Sequence, residues 1–172
     1  MKKTILTYGL ISGGIAAALM LCSSLYLRND PGNFSGSEVY GYAGIVLSML
    51  FVFLGVRAYR DQVAGGIISF GKAFQVGLYI CLISCAIYVI TWMIIYHTLL
   101  PDFMDQFVEY SLQSLRESGA TAEEISKKTA EFDYYKALYK NPLIAAGITF
   151  LEPFPIGLLV SLAAAGILRR QG

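Results

Sequence analysis

The sequence is poor in charge: Asp, Glu, Lys and Arg make up 15% of its 172 residues, nearly cancel to a net +1, and form no basic run. That excludes the electrostatic footprint of a nucleic-acid binder. Histidine is almost missing, His97 being the only one, so a histidine-based metal site is not expected. The three cysteines, Cys22, Cys81 and Cys85, all fall in apolar segments, which gives neither a disulfide framework nor the spacing of a zinc ribbon. Tandem repeats and Pro- or Ser-rich linkers are also absent, so residues 1–172 read as one domain. Apolar residues, by contrast, are abundant. Hydrophobic residues are 56% and aromatics 13% of the chain, and the mean hydropathy is +0.58, too apolar for a soluble domain of this length.

Four stretches account for that balance. Residues 4–27, 39–56 and 73–96 carry no charge, and residues 143–168 carry one, Glu152. Each reaches the roughly 18 to 20 residues with which a helix crosses about 30 Å of hydrocarbon. Lipid offers backbone amides no partner, so spanning segments are helices or closed barrels, and the alternating ten-residue segments of a barrel are missing. The expected fold is therefore all-α, a four-transmembrane-helix bundle in a lipid bilayer. Lys2 and Lys3 before the first run resemble the start of a secretory signal. The run is longer than a signal core, however, and Leu21 precedes Cys22 where a lipoprotein signal wants a small residue, so it reads as a retained anchor.

Lys2, Lys3, Arg57, Arg60, Lys72, Arg169 and Arg170 crowd into 23 residues on one side, while the other six basic residues are spread over 57. The positive-inside rule then places both termini in the cytoplasm, with Tyr26, Tyr40, Tyr42 and Tyr96 as an outer aromatic belt. Residues 97–142 form an outer loop too long to be structureless, and they read as a helical hairpin over about 101–140. Pro101 suits a first helical turn or a kink, and Phe103, Phe107, Val108, Leu112 and Leu115 recur at helical spacing up to Ser118 and Gly119. Thr121 with Glu124 three residues later is a capping box for the second helix, which Asn141 and Pro142 end.

Glu152 is the sharpest signal. It lies about 13 Å into its helix, where a carboxylate costs several kcal/mol unless paired, protonated or hydrated. Pro153 has no amide proton for the carbonyl of Thr149, so the helix is expected to kink here, beside Pro153 and Pro155. The carboxylate then has two readings: a proton, cation or solute site on a cavity wall with Tyr88, Thr91 and Ser161, or a structural hydrogen bond to Tyr88, Thr91 or Trp92. His97, at the end of the third span, is the pH-sensitive candidate. Arg57, Arg60 and Lys72 are candidate contacts to anionic headgroups at the inner interface.

Residues 66–72 match part of a phosphate-binding loop, but Ala73 replaces the magnesium-binding hydroxyl and no strand precedes it, so no nucleotide is expected. No Ser-His-Asp, metal-ligand or paired-carboxylate constellation lies in the spans. Enzymatic activity, catalytic or metal residues and cofactors are accordingly not expected. Small residues recur every four positions at Gly9, Gly13 and Ala17, at Ala73, Gly77, Cys81 and Cys85, and at Gly157, Ser161 and Ala165. Such stripes let helices approach closely, within the chain, in a homo-oligomer or against a membrane-protein partner.

Gly-Val-Arg-Ala-Tyr-Arg-Asp at 55–61, Gly-Gly-Ile-Ile-Ser-Phe-Gly-Lys-Ala-Phe at 65–74 and Glu-Pro-Phe-Pro-Ile-Gly at 152–157 resemble the bacterial membrane family called domain of unknown function 4199. The resemblance spans nearly the whole chain. It implies a small integral protein of the bacterial inner membrane and carries over no activity. The expected role is non-enzymatic assembly or regulation through the outer hairpin, and the alternative is oligomeric transport using Glu152.

Overall fold

The computed structural model describes residues 1–30 and 34–170. Seven helices follow in order: α1 (Lys2–Asn29), α2 (Phe34–Gln62), α3 (Phe70–Thr98), α4 (Phe103–Glu117), α5 (Ala122–Tyr139), α6 (Pro142–Phe150) and α7 (Pro153–Leu168). No strand occurs among the described residues, only a single backbone bridge between Ile68 and Arg170. Four segments are long and apolar enough to cross a membrane: Lys2–Asn29, Val39–Gln62, Phe70–Thr98 and Pro142–Leu168, the last being α6 and α7 together. The protein is thus an all-α integral membrane protein.

The helices outrun the apolar stretches that mark them. The charge-free run predicted over 39–56 ends at Val56, but α2 continues through Arg57 and Arg60 to Gln62. The two arginines therefore stand on the helix rather than in a loop, because charge limits burial in lipid without interrupting i to i+4 backbone hydrogen bonding. The connection to α3 shrinks to residues 63–69. Gly65 and Gly66 turn it with φ of +65° and +87°, and Ser69 caps α3 by accepting from the Lys72 amide.

α2 and α3 form the centre. α1 packs on both, and α7 packs on the same two helices, while α6 rests on α3 and α5. Ala73, Gly77, Cys81 and Cys85 on α3 and Gly157, Ser161 and Ala165 on α7 are all buried, so these two stripes are used within the chain. A Cβ at Gly157 would run into Cys81 Sγ and lie 2.9 Å from Met49 Sδ. Midway along the bundle, Ser12 Oγ donates to the Ser48 carbonyl at 2.7 Å and lies 2.9 Å from Ser84 Oγ, joining α1, α2 and α3 in a fully buried layer. Between this layer and the termini, Val52, Val56, Val76, Ile80 and Cys81 are completely enclosed.

The long loop is a hairpin of α4 and α5. Gly119, at φ +81°, ends the first helix, and the Thr121–Glu124 capping box opens the second. Pro101 enters neither α3 nor α4. It lies in the turn between them, as its ring cannot extend α3 and α4 starts only at Phe103. Asp105 pairs with Lys136 at 2.5 Å, and the Phe107 and Phe132 rings meet edge to face, tying α4 to α5. Phe34, only 2% exposed, is gripped by the rings of Phe103, Phe107 and Tyr110. This aromatic contact folds the hairpin back over the end of the bundle opposite the termini.

Candidate functional site

The fourth span is interrupted where the sequence places its carboxylate. α6 ends in a tightened turn in which Leu151 N–H reaches the carbonyls of Gly147 and Ile148, and Glu152 N–H reaches that of Thr149 at 3.3 Å. Pro153 and Pro155 occupy the first turn of α7, where amide protons have no intrahelical acceptor, so their missing donors cost nothing there. Glu152 stands at the N-cap of α7 and makes no capping bond. Its carboxylate reaches across to α3 instead, accepting a 2.8 Å hydrogen bond from the Tyr88 hydroxyl. The Phe150 and Phe154 rings stack at 4.9 Å across the break. A negative charge at a helix N-terminus is also favoured by the helix dipole.

This pair faces a half-open cavity of about 390 Å³ bounded by α1, α2, α3, the break and the hairpin. Its floor is the serine layer: Ala16, Ile45 and Tyr88 line the cavity one turn beyond Ser12, Ser48 and Ser84. Trp92 forms a wall, its ring 5.0 Å from Phe103. The hairpin supplies the roof, through Phe103, Phe107, Phe132 and Tyr139. Tyr88 is 9% exposed, whereas Glu152 opens to the cavity and is accessible. Burial, and secondarily the charge of Glu152, raise the Tyr139 phenol above its ordinary pKa, so it is a neutral group beside Thr149 and Trp92.

Residues 7–170 match the family of proteins of unknown function 4199. The chain belongs to that family. No curated protein and no solved structure matches it.

Of the candidate residues, Glu152, Tyr88, Pro153 and Pro155 come together at the break. Thr91 does not join them, because its hydroxyl donates to the Ile87 carbonyl of its own helix at 2.8 Å. Ser161 similarly donates to Gly157 O and packs at Gly77, away from the cavity. Both follow the habit of helical Ser and Thr of bonding one turn back, where no other acceptor is in reach. His97 is exposed, outside the cavity, with its ring against Tyr96.

At the opposite end of the bundle, Arg60 Nε lies 2.6 Å from Asp61 Oδ1, and Arg57 Nε lies 3.7 Å from Oδ2. Arg57 remains largely exposed at 59%, and Lys72 Nζ donates to Gln75 Oε1 at 3.1 Å. Arg170 and Ile68 exchange two backbone hydrogen bonds, tying the chain past α7 to the α2–α3 connection. The cavity contributions of Met20, Phe34, Tyr42 and the hairpin rings escaped the sequence reading. Only the i, i+4 spacing of Phe103 and Phe107 hinted at an apolar underside to the hairpin.

Proposed function

We propose that this membrane protein is a non-enzymatic assembly or regulatory component whose hairpin is the working part. The observation that carries this reading is the hairpin's position: its aromatic underside roofs the Glu152 cavity, while Tyr134 and most of its charged residues face outward. A change inside the cavity is then felt directly by the surface a partner would meet. In this reading the termini lie in the cytoplasm of a bacterial cell and the hairpin lies outside its inner membrane. The density of Lys and Arg at the termini end supports that orientation, and Arg57 and Lys72 serve as headgroup contacts there.

Isolating the native complex in mild detergent tests the proposal. A defined protein partner is expected, lost on charge reversal of the exposed Glu123 and Asp133. A partner-free protein whose hairpin variants behave as wild type would overturn it.

The alternative is an oligomeric transporter of protons or small solutes. A broken span with a carboxylate at the break favours that reading, since discontinuous helices form many transport sites. Against it stands the filled half of the bundle, where the serine layer and Val52, Val56, Val76, Ile80 and Cys81 below it are fully buried. Purified protein in liposomes is therefore expected to show no pH-dependent flux. A flux lost in a well-folded Glu152→Gln variant would reverse the choice.

A further inference from the structure

The cavity lining points to the chemistry of an occupant. We propose that the cavity binds an organic ammonium cation, its charged head held between Glu152 and the surrounding aromatic rings. The assignment rests on reading the cavity as a binding site rather than a conduit.

Nine of the nineteen lining residues are aromatic, among them Tyr42, Tyr88, Trp92, Phe103 and Tyr139. The faces of such rings carry negative potential, and desolvated cages of them are a recurring means of holding alkylated ammonium groups. Glu152 is the only charged side chain in this lining among the described residues. No Lys or Arg enters it, so an anion would find no counter-charge. One carboxylate oxygen is engaged by Tyr88 at 2.8 Å, and the other, Oε1, has no partner among the described residues. A half-satisfied carboxylate in an apolar setting gains most from a cation that needs little hydration.

A metal ion fits less well. Calcium takes six to eight oxygen ligands and magnesium six, and no group of three His, Cys, Asp or Glu side chains that could hold a metal occurs among the described residues. The remaining lining, including Met20, Leu27 and Met104, suits hydrocarbon substituents on the nitrogen. The volume of about 390 Å³ lies within the usual range of small-molecule sites. Such a cation can arrive as the ethanolamine or choline headgroup of a lipid or as a free amphiphilic amine.

Trp92 is the only tryptophan in the chain and lines the cavity, so its emission reports on this site. The full chain is placed in nanodiscs of phosphatidylglycerol and titrated with dodecyltrimethylammonium and with its uncharged carbon isostere. A saturable emission shift with the ammonium and none with the isostere is expected. Glu152→Gln should weaken the response about tenfold or more, while Glu109→Gln, which removes an exposed hairpin carboxylate outside this lining, should retain it.

Equal responses to both probes, or an unchanged affinity in Glu152→Gln, would overturn the assignment. The isostere comparison uses the wild-type chain and stands even where a variant does not fold. In discs rebuilt with phosphatidylethanolamine or phosphatidylcholine, an emission already shifted before any probe is added identifies the headgroup as the source. An unshifted emission identifies a free amine. Ammonium selectivity together with pH-driven flux would sink the regulatory reading alone, and a partner complex without ammonium selectivity would sink this assignment alone.

Discussion

In the half of the bundle nearest the termini, Gly77 and Gly157 let α3 and α7 close until Cys81, Met49 and Ser161 touch backbone-thin surfaces. In the hairpin half, Tyr88, Trp92 and Phe34 stand at the helix surfaces and keep them apart around a cavity. The difference lies in side-chain volume one or two turns along the same helices. α3 shows it within one element, passing from Gly77 and Cys81 through Ser84 to Tyr88 and Trp92. In lipid, helices gain little from burying apolar surface and associate by close packing and hydrogen bonds. A half lined by small residues therefore closes, and a half lined by rings stays open unless something caps it. Here the hairpin is the cap, and among the described residues Glu152 is the one charged side chain that lines the space beneath it.

The comparison is broken most severely from the closed side. Gly157→Val should overpack the contact with Cys81 and Met49 and cost on the order of 3 kcal/mol, read as a loss of thermal stability in detergent. An unchanged melting temperature would mean that α7 does not pack closely there. Next comes the roof. Phe107→Ala removes a half-buried ring that contacts Phe34, Phe103 and Phe132, with an expected cost of about 2 kcal/mol. It should also make the α4–α5 connection more sensitive to protease and shift Trp92 emission to the red. A variant whose Trp92 environment is unaltered would detach the hairpin from the cavity.

Ser84→Ala sharpens the boundary between the halves. Losing one hydrogen bond of the buried serine layer should cost about 0.6 kcal/mol, the average for such bonds between spanning helices. The smallest effect is at the tip of the hairpin. Glu124 accepts from the backbone amide and hydroxyl of Thr121, which lowers its pKa below the ordinary 4.5. A depressed carboxylate pKa stabilises the fold above its ordinary value, and that contribution is lost as the pH falls through the lowered one. Amide exchange in the first turn of α5 should accordingly speed up, relative to the rest of the hairpin, below about pH 4.5, and Glu124→Gln should flatten that dependence.

Legibility followed the range of the interaction. The Thr121–Glu124 cap and the break at Pro153 depend on neighbours a few residues away, so both could be read from sequence. Glu152 was marked by its cost in lipid, with Tyr88, Thr91 and Trp92 open as its partners. The same reasoning could not separate Tyr88 from Thr91, one turn on, because depth ignores which face a residue presents. It also missed the extension of α2 through Arg57 and Arg60, since the length of an apolar run measures compatibility with lipid and not the reach of backbone hydrogen bonds.

Run length against bilayer thickness, together with the placement of charge, determined four spans, a polar hairpin and a single costly carboxylate from the sequence by itself, because each is a property of one segment in its solvent. Only the tertiary structure decided that the α3 and α7 stripes meet each other, that three serines from three helices form one layer, and that the hairpin folds back to roof a cavity. Those outcomes depend on the combined fit of surfaces far apart in the chain. Lipid, being as apolar as the helices it surrounds, sets no preference among the stripes until the side chains are brought into contact.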